Sequence, residues 1–438
     1  MHILIIHQAF ASLNEPGGTR HYEFARLLVS RGHQVTVIAS PVSYITGSPV
    51  ALTPNPSPDY GRGERGQGKD SPLPPGEGPG VRVLRASVYS AHHKSFVHRM
   101  LAFFSFMVSS FFIGLGVKNV DVVWGTSPPI FQGVTAWMLA RLKGAKFLFE
   151  VRDLWPKFAV AVGVLTNPIL IRMSEWLERF LYRHADRIMV NSPGFLEHVA
   201  FRLRSSTSLR SAQTSAQGSA PEISLVSNGA DPSMFDPADN GADFRRAHGL
   251  ENKFVALYAG AHGMSNDLGV VLESASLLAD EKKIQIVLVG DGKEKSALQA
   301  RAKAMGLTNV TFVDSVPKSE MPSTLAAADA CIGILKPLEE YKTTYPNKVF
   351  DYMAAGRPVA LAIDGVIREV IEAAGCGIFA APGSPSALAE AVRALASDEK
   401  KSRQMGLAGR KYIEEHFSRA VIGEKLVGLL EEIVRPRA

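Results

Sequence analysis

Four clusters in the 438-residue sequence bring together residue types that do chemistry on phosphates and sugars. In YPNKVFDYMAAGRPVALA, Pro346 and Asn347 open a helix, Gly356 ends it before a strand, and Lys348 and Asp351 stand one helical turn apart. That spacing lets a cation for phosphate and a carboxylate for ribose hydroxyls face one ligand, though it also suits a plain surface ion pair. In EVRDLWPKF, a strand ends with Glu150, Arg152 and Asp153, followed by Trp155. Charge is thereby placed at the carboxyl edge of a parallel sheet, where open α/β sheets bind ligands. TSPP at 126–129 belongs to the same cleft, and an ion pair of Arg152 with an acid is the structural alternative. In PGGTRHYEFARLL, Gly17 and Gly18 precede a helix that Thr19 can cap, so backbone amides at its start suit a phosphate; a tight turn would use the same glycines. LYAGAHGMSNDLG and LVGDGKEKSAL set Gly260 and Gly263, and Gly290, Asp291 and Gly292, between a strand and a helix. Both loops suit phosphate or ribose, with the Asp291 carboxylate accepting from ribose or base.

The elements that must position these residues follow from the hydrophobic pattern. HILIIHQ, QVTVIAS, VDVVWGT, KFLFEV and RIMVNS alternate with helical segments in the first half, and KFVALYAG, IQIVLVGDG, VTFVD, ACIGIL and RPVALAI do so in the second. Short runs rich in Val and Ile, separated by helices, predict parallel strands with helical crossovers. The fold class expected is α/β, with two Rossmann-like doubly wound domains facing each other across a cleft. Residues 1–204 form the first domain and 223–417 the second, while 418–438 is a helix packing back on the first. Residues 49–80, dense in Pro and Gly, read as a disordered insertion, and 205–222 as a flexible linker or insertion.

Bulk properties narrow the partners. A net charge of +6 without a Lys/Arg run interleaved with aromatics excludes nucleic acid as the expected partner. Cys331 and Cys376 lack metal or disulfide spacing, and MHILIIHQ reads as a strand, not a secretory signal, so a cytoplasmic location is expected. The uncharged stretch from Met100 to Val117 has the minimal length of a membrane span. It leads directly into the VDVVWGT strand, so it is read as an in-plane helix resting on anionic lipid beside His92, His93, Lys94, His98 and Arg99; an ordinary buried helix is the alternative. Missing GxGxxG spacing argues against a nicotinamide enzyme.

Taken in order along the chain, PGGTRHYEFARLL, DVVWGTSPP, EVRDLWP, SNGAD, YAGAHG, VGDG and PNKVFDYMAAGRPV resemble the retaining GT-B glycosyltransferases of family four, especially bacterial N-acetylfucosamine transferases of O-antigen and capsule assembly. The resemblance implies that Gly17 and Gly18 approach a donor diphosphate and that Glu150, Arg152 and Asp153 surround the transferred sugar or acceptor. It also implies that Asp351 holds ribose, that Lys348 contacts diphosphate, and that Gly290–Gly292 with VTFVD frames the base. Two departures stand out. Thr343 occupies the position of the first of two family glutamates, with Glu339 or Glu340 as candidate substitutes, and GAHGMSNDLG lacks the usual basic pair. A metal-independent reaction with no cofactor is implied, together with a nucleotide-sugar donor, a polyprenyl-diphosphate-linked acceptor and a peripheral position on the inner face of the cytoplasmic membrane through 100–117. A nucleotide-sugar 2-epimerase of the same architecture and a non-catalytic nucleotide-sugar-binding protein are the alternatives.

Overall fold

The computed structural model describes residues 1–15, 17–42, 77–78, 81–89, 96–204 and 221–435. Two sheets carry the fold. The first comprises β1 (His2–Ile6), β2 (Gln34–Ala39), β3 (Glu77–Gly78), β4 (Val81–Arg85), β5 (Val122–Ser127), β6 (Lys146–Val151), β7 (Arg187–Val190) and β8 (Glu222–Leu225), in the order β3-β4-β2-β1-β5-β6-β7-β8. The second comprises β9 (Phe254–Ala259), β10 (Ile284–Val289), β11 (Val310–Val313), β12 (Ala330–Ile334), β13 (Val359–Ala362) and β14 (Gly377–Phe379), in the order β11-β10-β9-β12-β13-β14. All pairings are parallel except β3 with β4. Strand order reverses between β1 and β5, and again between β9 and β12. Crevices open at such switch points, outside the carboxyl ends of the strands.

In the first half, α1 (Arg20–Ser30), α2 (Phe96–Leu115), α3 (Phe131–Lys143), α4 (Lys157–Ala161), α5 (Pro168–His184) and α6 (Gly194–Arg204) follow the strands. Alternate residues of β1 face opposite sides, as a strand requires. Leu4 and Ile6 share a core with Phe106 of α2, Leu139 of α3, Leu181 of α5 and Phe195 of α6. Ile3 and Ile5 pack with Phe24 of α1 and with Ile422, Leu426 and Leu430 of the C-terminal helix Arg419–Val434. That helix therefore lies on the first domain, where Gly423 leaves room for Leu27.

Two differences from the sequence reading concern boundaries. β8 pairs with β7, so the first sheet extends past residue 223, where the second domain was expected to begin. The expected insertion at 49–80 and linker at 205–222 fall mostly outside the described residues; within them, Glu77–Gly78 pairs with β4 and Glu222 belongs to β8.

The halves touch through polar and ring contacts. The Ser192 hydroxyl donates to the Thr343 carbonyl at 2.6 Å, Asn228 Nδ2 to the Tyr345 carbonyl at 2.8 Å, and the Ser319 amide to the Leu13 carbonyl at 2.9 Å. The Phe158 and Tyr341 rings meet edge-on at 5.6 Å.

Candidate active site

The loops after β1, β5 and β6 meet the 265, 335 and 341–346 segments of the second half around a cleft of about 710 Å³. Its walls are mostly apolar, with Phe10, Phe131, Trp155 and Phe158 among them, and its charged corner holds Arg152, Asp153 and Glu15. Gly17 and Gly18 border the same space. A Cβ built on Gly18 would meet nothing within 4 Å, so this glycine leaves the approach open. Thr19 does stand at the N-cap of α1, but its hydroxyl bonds the Glu23 carboxylate instead of a backbone amide. The orphan amides at the start of α1 therefore lack that cap.

Arg152 and Asp153 are thus brought into the cleft, and burial pushes the Asp153 carboxyl up to about 7 despite the neighbouring Arg152 guanidinium. Glu150 is placed elsewhere, and here the catalytic expectation is corrected. It is 0% exposed, and its oxygens accept from Arg20 Nε at 3.0 Å, His21 Nε2 at 2.6 Å and Trp124 Nε1 at 3.1 Å. Burial alone would raise this carboxyl, yet His21 and Arg20 outweigh it and hold the group down at about 2. Burial lowers His21 to about 4, so at neutral pH a neutral imidazole donates its Nε2 proton to the carboxylate. Arg20 also donates to the Val226 and Ser227 carbonyls, both at 2.6 Å. Glu150 is therefore a sealed anchor beneath the cleft that orients the start of α1 and the chain after β8.

The pattern in the sequence did not mark Gln8. It follows β1, lines the cleft and is 3% exposed, with neither side-chain amide atom partnered among the described residues. Its backbone is fixed, because its N–H donates to Gln132 Oε1 at 2.6 Å and its carbonyl accepts from the Ser40 amide at 3.0 Å. An amide held in this way presents a donor and an acceptor to whatever enters.

In the second half, Lys348 is the second residue of its helix, Asn347–Ala354, and stands two residues after Pro346, which lines the cleft. Its ammonium donates to the Tyr258 hydroxyl at 2.7 Å and to Asn266 Oδ1 at 2.8 Å, and lies 4.3 Å from the centre of the Tyr258 ring. These partners are neutral, and burial lowers the ammonium to about 7. Lys348 also lies beside Gly260, whose Cβ position would be 3.0 Å from Nζ. Asp351 takes a different partner, since its Oδ2 is 2.7 Å from Lys318 Nζ. Burial raises this carboxyl, with Lys318 opposing. The i,i+3 pair is thus not joined by a shared partner.

The glycines of the two loops serve mainly each other. A Cβ on Gly290 would fall 1.9 Å from the Gly260 carbonyl oxygen, and one on Gly292 would fall 2.5 Å from that of His262. Loop-to-loop packing accounts for both, whereas Gly263 has open space up to Asn266. The Asp291 carboxylate is exposed and accepts from the Gly292 amide at 2.7 Å. Between these loops His262 is buried, and neither ring nitrogen has a partner among the described residues. The glycine signal overshadowed it in the sequence. Thr343, at the place of the missing acid, packs against Gly194, and Glu339 turns to Lys342 at 2.7 Å with most of its side chain in solvent. Among the described residues, no three His, Cys, Asp or Glu side chains converge as a metal site.

Two doubly wound sheets facing a cleft at their switch points, with a cation on one side and an open glycine turn on the other, define a GT-B fold. Residues 17–208 match the glycosyl transferase 4-like domain and residues 241–412 match glycosyl transferases group 1. WcaI of Escherichia coli K12, whose name assigns it to glycosyl transfer in colanic acid biosynthesis, is 24% identical over 85% of this chain and 86% of its own length. Sucrose-phosphate synthase of Thermosynechococcus elongatus superposes with a TM-score of 0.71 at 16% identity over 99% and 98% of the two chains. HepE of Anabaena, in complex with UDP and glucose, does so with a TM-score of 0.69 at 13% identity over 99% and 100%. The two glycosyl transferase matches thus stand side by side over most of the chain, on a GT-B architecture.

Proposed function

We propose that the protein is a retaining hexosyl or N-acetylhexosaminyl transferase of surface polysaccharide assembly, acting on O-antigen, capsule or a related polymer. In this reading it moves a sugar from a UDP-activated N-acetylated donor, such as UDP-N-acetylfucosamine, to a polyprenyl-diphosphate-linked saccharide. The observation that carries the reading is Lys348, a half-buried ammonium with neutral partners beside an apolar cleft. A partly desolvated cation is costly until an anion reaches it, and a donor diphosphate is such an anion. The likeness to HepE, crystallised with UDP, supports the nucleotide, and the name of WcaI supports the polymer.

In this reaction the bond between the sugar anomeric carbon and the diphosphate oxygen breaks, and the electron pair leaves with the diphosphate. The acceptor hydroxyl attacks on the same face, and its proton passes to the departing phosphate, so no separate nucleophile is invoked. Lys348, Arg152 and the amides around Gly17 and Gly18 meet the developing charge without a metal or other cofactor. Gln8 and the Asp153 carboxyl, poised near neutrality, hold sugar hydroxyls. The lipid part of the acceptor runs along the apolar wall towards α2, on the inner face of the cytoplasmic membrane.

The test is incubation with UDP-N-acetylfucosamine, UDP-N-acetylglucosamine and GDP-mannose, with and without a polyprenyl-diphosphate saccharide, followed by nuclear magnetic resonance of the products. Acceptor-dependent transfer with the donor's anomeric configuration is the expected result. Epimerised donor without acceptor would make the protein a 2-epimerase, and donor binding without transfer or slow hydrolysis would make it a binding protein.

A further inference from the structure

No helix among the described residues is long and apolar enough to cross a membrane. The apolar stretch is α2, which buries Ala102, Phe106 and Ser110 inward. Its opposite face is a continuous apolar stripe, because Leu101, Phe104, Val108, Phe112 and Leu115 recur at helical spacing and are 43–67% exposed. A second stripe, which the sequence pattern did not reveal, lies on α5, where Ile169, Met173 and Trp176 are 60–67% exposed. Trp176 is braced by Phe180 at 5.5 Å, which in turn meets Trp137 of α3 at 4.8 Å. α3 touches both α2 and α5 on the same face of the sheet, so the two stripes flank it, with exposed Leu142 at its end. Apolar patches of this kind on a single face mark an interaction surface.

We infer that α2 and α5 together form a docking face for an anionic lipid bilayer, with the cleft opening onto it. Two observations select the bilayer. The first is charge: exposed Arg141, Lys157 and Arg172 stand among the stripes, while the acids of α5 are already engaged, Glu175 with Arg179 and Arg202 and Glu178 with Arg202 and His198. A basic and aromatic-edged apolar face suits anionic headgroups over acyl chains. The second is continuity, since Met100 and Phe103 of α2 line the cleft next to exposed Leu101 and Phe104, and Val162 and Val164 after α4 line it shortly beyond exposed Val160. The apolar wall of the cleft therefore runs out onto this face between α2 and α5. An isoprenoid chain leaving the bilayer would reach the cleft along it without crossing water. This part rests on the lipid-linked acceptor proposed above; docking itself does not.

The test is flotation of the full chain with vesicles of phosphatidylethanolamine and phosphatidylglycerol, against vesicles of phosphatidylcholine alone. Wild-type protein is expected to float with the anionic vesicles, less so at high salt, and Phe112→Glu/Trp176→Glu to reduce the bound fraction at least tenfold. Both positions are largely exposed, so an unchanged Tm and unchanged UDP binding verify the fold. Trp176→Glu alone is expected to lower binding severalfold, which separates a two-helix face from α2 acting alone. No flotation with anionic vesicles, equal flotation of the double variant, or a wild-type dimer that Phe112→Glu dissociates would overturn the inference. Flotation with no sugar transfer would leave docking intact and overturn only the proposed reaction.

Discussion

Lys348 Nζ lies 2.7 Å from the Tyr258 hydroxyl and takes no carboxylate partner among the described residues, so the second domain keeps this half-buried cation for a ligand. Burial brings this ammonium to about 7 in the free protein, and a diphosphate at the site would raise it. Nucleotide binding then takes up a proton above pH 7, and affinity falls by up to about tenfold per pH unit until the raised value is passed. Calorimetry of UDP between pH 7.5 and 9, in buffers of different ionisation enthalpy, checks this. Equal heats across buffers would contradict it.

Glu150 holds Arg20 and His21 in a site closed to water. Glu150→Ala leaves Arg20 buried without its carboxylate and is expected to cost about 3–5 kcal/mol in denaturant unfolding. The same cluster sets an acid limit. His21, lowered to about 4 from 6.5, makes stability fall as pH drops through that interval, and Glu150, lowered to about 2 from 4.5, continues the fall below it. The acid limb should flatten in His21→Ala, which removes the imidazole and a group that holds Glu150 down, as followed by Tm against pH.

The contact between Gly194 and Thr343 leaves no room for a methyl group. A Cβ at Gly194 would lie 2.5 Å from the Thr343 Cα. Gly194→Ala is therefore expected to push the halves apart, raising the radius of gyration by X-ray scattering and lowering kcat at least tenfold while each half keeps its fold. An unchanged scattering profile would show that the chain absorbs the methyl group locally.

Gln8 carries a buried, unpartnered amide. Its replacement by leucine removes an unsatisfied polar group, so stability should hold or rise by about 1 kcal/mol, while kcat/KM falls by about 5- to 100-fold through lost sugar contacts. A loss of both together would mark Gln8 as structural.

Much of this architecture was legible because parallel strands buried on both faces leave long Val/Ile runs, as in HILII, FVALYA and IQIVLV. Arg152, Asp153, Gly17 and Gly18 border the cleft because glycine turns and charged strand ends mark the carboxyl edge of a sheet. Period alone does not say which face of β6 looks onto α1, so Glu150 was indistinguishable from a cleft residue. Lys348 and Asp351 share a helical face by spacing, yet Lys318, far along the chain, engages one of them. Gly290 reads as a ligand-approach glycine until the Gly260 carbonyl is seen to occupy the space. The α5 stripe was hidden by the charged residues between its apolar positions. Long-range partners decide each of these cases.

The most direct test of the account is titration of UDP into wild-type protein and Lys348→Met, with thermal unfolding measured in parallel. Removing a half-buried ammonium with neutral partners should leave Tm unchanged or higher, while UDP affinity falls about 10- to 100-fold. Unchanged affinity in Lys348→Met would contradict the assignment of this residue as the cation that receives the donor diphosphate.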